Sequence, residues 1–150
     1  MKTLTVPGFY ESEHFYANLR KLQTDLRIEN LTNYPENSLG FALAEFLHQQ
    51  HLNSSATLEQ SDIFHVLTHI GSSAEEQVGL QFYLIGNGKK TPLTLLSAIF
   101  GSIFFLHRLP QFFGQFQKGK RALLFHHLEF TKMLAQPLEK IRETFLIQPS

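Results

Sequence analysis

Apolar residues recur at helical spacing along almost the whole chain. Leu19, Leu22 and Leu26 keep that period within Phe15 to Leu26, and Leu39, Leu43, Phe46 and Leu47 share one face of Leu39 to His48. Polar punctuation separates the runs. Tyr34-Pro35-Glu36-Asn37-Ser38 is a turn that ends on a good N-cap, and Asn53-Ser54-Ser55 breaks the helix before it. A helix is expected from Thr57 to Thr68. Ser73-x-x-Glu76 has the form of a capping box and opens a helix that runs to the stop signal Gly86-Asn87-Gly88. Thr91-Pro92 supplies an N-cap and a first-turn proline for the next helix. Pro110 begins another, Gly119-Lys120-Arg121 leads into Ala122 to Leu134, and Pro137 starts the last helix, Leu138 to Phe145. No segment alternates as a strand does, and neither an internal repeat nor a low-complexity tract is present. The pattern predicts one all-α domain over residues 1–150, a bundle of about six to eight helices.

Pro92 to Leu106 is nearly continuous in apolar residues, broken only by Thr94, Ser97, Gly101 and Ser102. A helix of that length spans only ~22 Å against a bilayer core of ~30 Å. The expectation is therefore a buried helix, or one lying against a membrane surface, and no transmembrane span. Leu95, Leu96, Ile99, Phe100, Ile103, Phe104, Phe112 and Phe113 have two readings. They form the packed core of the bundle, or they line a channel for an apolar ligand or a membrane-docking face.

Composition sharpens this. The 150 residues hold 13 basic and 13 acidic side chains, so nothing in the balance points to nucleic acid. The absence of cysteine excludes disulfides, thiolate metal sites and a cysteine nucleophile. The first residues, Met1 to Gly8, lack the apolar stretch of a signal peptide. There are 15 phenylalanines and no tryptophan, with many of the Phe between Phe100 and Phe130, a half greasier than an ordinary core requires.

Candidate chemistry centres on Ser61-Asp62-Ile63-Phe64-His65, with Gln77 twelve residues on. Asp62 and His65 share a helix face, and a carboxylate beside an imidazole suits a divalent ion. His69 falls on the same side if the helix continues. Ser61 and Gln77, where a fuller site needs an imidazole and a carboxylate, are poor ligands. Glu76 carries a carboxylate but points about 100° away from residue 77 on a helix.

Four motifs in order resemble the coenzyme Q biosynthesis protein 4 family. Tyr34-Pro35-Glu36-Asn37-Ser38-Leu39-Gly40 resembles its Pro-x-x-Thr/Ser-Leu-Gly helix start. Asp62-Ile63-Phe64-His65-Val66-Leu67-Thr68 resembles its His-Asp-x-x-His signature, in which eleven further residues precede a Glu. Gly119-Lys120-Arg121-Ala122 and Pro137-Leu138-Glu139-Lys140-Ile141-Arg142 resemble its C-terminal motifs. The resemblance covers roughly residues 33–148. Ser61 stands at the first His, Gln77 at the Glu, and His69 where the family usually has Gly.

What the resemblance implies is an all-helical protein of ubiquinone biosynthesis, cytoplasmic and peripheral to the inner membrane, that handles a prenylated quinone precursor. It implies a divalent metal (zinc, magnesium, manganese or cobalt) at the signature positions Asp62, His65 and Gln77, with Asp62 and His65 catalytic in oxidative ring decarboxylation and hydroxylation; His69, from this chain's own spacing, is the candidate that rebuilds the ligand set. The alternative is a non-catalytic prenyl-lipid-binding or scaffold protein for other ubiquinone-biosynthesis proteins. A homodimer is among the expected assemblies.

The remaining signals are weaker. Gly86-Asn87-Gly88-Lys89-Lys90-Thr91 lacks the spacing and the preceding strand of a nucleotide loop, though its lysines and the following helix start suit a lipid phosphate. Lys118, Lys120 and Arg121 suit anionic headgroups, and a solvated loop is the simpler reading of both. His126 and His127 are adjacent, so on a helix they face apart. No Gly-x-Ser-x-Gly elbow supports a Ser-His-Asp hydrolase.

Overall fold

A computed structural model describes residues 27–50 and 58–150; the expected helix Phe15 to Leu26, the break at Asn53-Ser54-Ser55 and Thr57 itself lie outside them. Among the described residues the chain forms seven α-helices and no strand: α1 (Ile28–Leu31), α2 (Leu39–Gln49), α3 (Gln60–Thr68), α4 (Ala74–Gly86), α5 (Pro92–Phe104), α6 (Leu109–Arg121) and α7 (Leu138–Phe145). The all-α expectation holds. Short 3-10 turns occupy Leu106–Arg108 and Phe130–Met133.

The caps are those the sequence carries. Ser38 Oγ accepts from the Phe41 N–H at 3.2 Å, and Thr91 Oγ1 from the Thr94 N–H at 3.3 Å. Ser73 and Glu76 close a reciprocal capping box at the start of α4. Each such cap satisfies helix-end donors that burial would otherwise leave bare.

The core lies between α2, α3, the C-terminal half of α4 and α7. Leu31, Leu39, Leu43, Leu47, Leu67 and Leu80 are almost wholly buried there, with Phe64, Phe125 and Phe130. Two segments far apart in sequence meet on one side of it. The Leu39 N–H donates to Gln136 O, and the Leu138 N–H to Asn37 O, each at 2.9 Å. They pair Ser38 with Pro137 in an isolated antiparallel bridge.

Ala122 to Leu134 is not a regular helix. After α6 the chain turns at Ala122, whose backbone is extended, and runs irregularly to the 3-10 turn at Phe130. Asn87 holds it there. Its buried amide donates to Leu123 O at 2.9 Å, and its Oδ1 accepts from the Phe125 and His126 N–H groups at 3.0 and 3.2 Å. The backbone groups of 123–126 that a helix would pair internally are taken instead by Asn87 and, at the Leu123 N–H, by Phe145 O.

α4 and α6 run parallel and touch backbone to backbone. A Cβ on Gly119 would overlap the Tyr83 carbonyl oxygen, and one on Gly86 the Phe116 carbonyl oxygen. Gly119→Ala is expected to lower stability by about 3 kcal/mol, read from urea midpoints, because the obstructing atoms are backbone and cannot rotate away. Gly114 has nothing within 4 Å of an added Cβ, so Gly114→Ala in the same helix is expected to raise stability by about 0.5–1 kcal/mol.

Candidate functional site

Asp62 is committed to its own helix. It is the third residue of α3, and its Oδ2 accepts from the Glu59 N–H at 2.8 Å while Glu59 caps the helix in return. Burial raises its pKa above the ordinary carboxylate range. The Glu59 N–H bond opposes that rise, the Glu59 charge adds to it and His65 opposes it. Ser61 spends its hydroxyl on Glu59 Oε2 at 3.3 Å.

His65 lies one turn further along α3 and is 7 % exposed. Its Nδ1 is 3.0 Å from the Ile70 carbonyl oxygen, and its ring stacks on Phe46 at 5.5 Å. A carbonyl can only accept, so Nδ1 carries the proton and Nε2 keeps the lone pair when the ring is neutral.

The helix ends sooner than an i, i+3, i+7 register requires. Thr68 is its last residue, and exposed His69 caps it in the left-handed conformation at φ 54°. His69 therefore does not continue the Asp62/His65 face along α3. It nevertheless reaches the walls of the same cavity as His65, an open space of about 580 Å³ that Glu45, Phe46, Glu76 and Arg142 also line. Gln77 turns elsewhere, its Nε2 donating to Ser72 O at 2.9 Å. Glu76, unlike Gln77, lines the cavity together with Glu45. Hydrogen bonds from the Ser73 hydroxyl and N–H hold its pKa below the ordinary range, with a smaller contribution from His65.

These placements bear on the donors expected for a metal. Asp62, Ser61 and Gln77 are each engaged locally, and only His65, His69 and Glu76 share a cavity. Among the described residues no three His, Asp or Glu side chains gather closely enough to hold a metal ion. The side chains present do not form the donor set that the family resemblance implies.

Arg142 is a positioning residue that the sequence pattern contained without revealing its task. From α7 its Nε donates to Leu67 O at 3.0 Å and its Nη2 to Val66 O at 2.8 Å, while Glu139 pairs with Nη1. The guanidinium thus satisfies the last carbonyls of α3, the helix that carries His65, and its charge suits that helix end.

The second candidate surface is α5 with α6. α5 is turned inside out: its buried residues are Thr94 and Ala98, while Leu93, Leu96, Ile99, Phe100, Ile103 and Phe104 are exposed, Phe104 by 78 %. Leu95 and Phe113 are exposed too. Phe112 alone of the eight apolar candidates closes the core, at 3 % exposure and stacked on Phe82 at 5.3 Å. The signal was present as Thr94, Ala98 and Gly101, small residues at helical spacing that let α5 lie close to α4. Among the described residues no single helix is long and apolar enough to cross a membrane, and α5 meets α6 at a bend of 105°.

Ser73→Ala is expected to cost about 1 kcal/mol at neutral pH. Glu76 binds its proton more weakly when folded, so its contribution is full above the unfolded glutamate value and fades as pH falls through the folded one. Asp62 has the opposite sign, so its ionisation counts against the fold as pH rises. Urea midpoints from about pH 7 to about pH 3 should show the gap between parent and Glu76→Gln closing on acidification, and that between parent and Asp62→Asn moving the other way. Arg142→Met is expected to cost about 2–3 kcal/mol in the same assay, because it removes both guanidinium bonds to the end of α3 and strands the Leu67 carbonyl, Val66 O keeping the His69 N–H. Searched against protein families and curated proteins, the chain matches none.

Proposed function

We propose that the protein handles a prenylated quinone precursor at a membrane surface in ubiquinone biosynthesis, as a lipid-binding or scaffold protein for other enzymes of that process. The observation that carries this reading is the outward-turned apolar face of α5, continued on α6 by Phe113. Burying one large apolar side chain is worth about 1.5–3 kcal/mol, so a bilayer or a prenyl chain laid along that face gains more than the isolated bundle does by exposing it. The four motifs that resemble those of the coenzyme Q biosynthesis protein 4 family suggest the substrate class, and two of them meet at the Ser38–Pro137 bridge.

The non-catalytic form of the reading is preferred on the donors. Asp62 caps α3 and Gln77 bonds Ser72, so the metal-dependent decarboxylation the resemblance implies lacks its ligand set here. The cavity beside His65, with an imidazole lone pair, two glutamates and Phe46, suits a hydroxylated ring donating to His65 Nε2.

Flotation with vesicles containing a prenylated benzoquinone tests the membrane part. Phe100→Ser with Phe104→Ser is expected to cut binding about tenfold or more, with the melting temperature kept. Native mass spectrometry of the mildly extracted protein is expected to show a bound isoprenoid; a protein that carries no lipid and ignores vesicles refutes the reading. One equivalent of tightly held zinc, manganese or cobalt, lost in His65→Ala, would refute its non-catalytic part.

A further inference from the structure

The chain is neutral overall, yet its charges are strongly segregated. From Gln77 to Leu128 there is no aspartate or glutamate, although all 13 acidic residues lie elsewhere and six of the 13 basic ones, Lys89, Lys90, Arg108, Lys118, Lys120 and Arg121, fall inside. That stretch contains all of α5 and α6, so the apolar face and the uncompensated positive charge occupy the same part of the fold.

Three of the six cations are occupied. Arg108 lies 2.8 Å from Glu75, Lys89 sits over the Phe64 ring at 5.3 Å, and Lys118 donates to Pro149 O at 3.3 Å. Lys90, Lys120 and Arg121 are exposed and form no ion pair among the described residues. Because α4 and α6 run parallel, their C-terminal ends lie together: Gly86 stands against the Lys120 backbone, Arg121 ends α6, and Lys90 follows α4 by four residues. Exposed Leu93, Leu123 and Leu124 stand among them in sequence, 76 %, 51 % and 62 % accessible.

We propose that this end of the α4–α6 layer is a docking site for an anionic lipid bilayer, with Lys90, Lys120 and Arg121 on the headgroups and the exposed Leu93, Leu123 and Leu124 entering the layer beside them. The proposal rests on the membrane-surface reading above and adds the charge class of the membrane. Apolar side chains gain the same from any acyl layer, so they do not choose between headgroups; cations do. Each Lys or Arg at an anionic surface is worth about a fivefold gain in binding, so three give about a hundredfold, screened by salt. A second copy of the chain fits the face less well. A two-fold contact sets a patch against itself, and here like charges would oppose each other, with no carboxylate in the 77–128 stretch to pair them.

Flotation of the full chain with vesicles of phosphatidylcholine alone, and of phosphatidylcholine mixed with phosphatidylglycerol, tests this at low and high salt. The expected result is about a hundredfold tighter binding to the anionic vesicles at low salt, shrinking as salt rises. Replacing Lys90, Lys120 and Arg121 together by Gln should bring anionic binding down to the neutral level, and unchanged melting temperature and circular dichroism verify that this variant is folded. Equal binding to both vesicle types overturns the proposal and leaves the membrane reading standing. Binding to neither overturns both. A stable dimer in sedimentation that no longer floats also overturns the proposal, because it assigns the face to a second copy.

Discussion

Where α4 and α6 touch, no side chain separates them. Gly86 and Gly119 bring the Phe116 and Tyr83 carbonyls to positions that any Cβ would occupy. This contact fixes α6 parallel to α4, and Asn87, at the end of α4, then fixes the path of the chain after α6 through the Leu123, Phe125 and His126 backbone. Phe125 is thereby delivered to the core beside Phe64, Tyr83 and Phe130. With α4 lined by α6 on one side and packed into the core on another, α5 finds only a narrow strip to lie against. Thr94, Ala98 and Gly101 fill it, and the large side chains of α5 have no interior left to enter.

Much of the fold was legible because helix ends announce themselves locally. Ser38, Ser73, Glu76, Thr91 and Pro92 act within a few residues of where they stand, and each does what its type and position predict. Ala122 to Leu134 was not legible, because what holds it is Asn87, more than thirty residues earlier. Nothing in the local pattern of the later segment encodes that partner. The orientation of α5 was half legible: its residues were readable as membrane-facing or as core, and only the small-residue stripe decides between them.

The candidate site divides in the same way. Asp62 and His65 do share a helix, as their spacing requires, but spacing does not say which donors are already spent. Asp62 belongs to the start of α3 and His65 to a cavity wall, and the left-handed turn at His69 ends the helix before a third ligand can join. Glu76 reaches the cavity where Gln77 does not, because a capping box orients it back over Gly71. The task of Arg142 was invisible for the reason Asn87's was. Its partners, the Val66 and Leu67 carbonyls, belong to another helix.

α4 has a structural consequence that follows from its position. Its first turn carries Glu76 on the cavity wall, and Gly79, on the following turn, lies against Phe112 and Gln115 of α6. Val78, beside it, meets α5 at Gly101. One rigid rod therefore belongs both to the cavity and to the greasy exterior. The wall of the cavity beside His65 and the seat of α5 are thus two faces of one helix, with no loop between them.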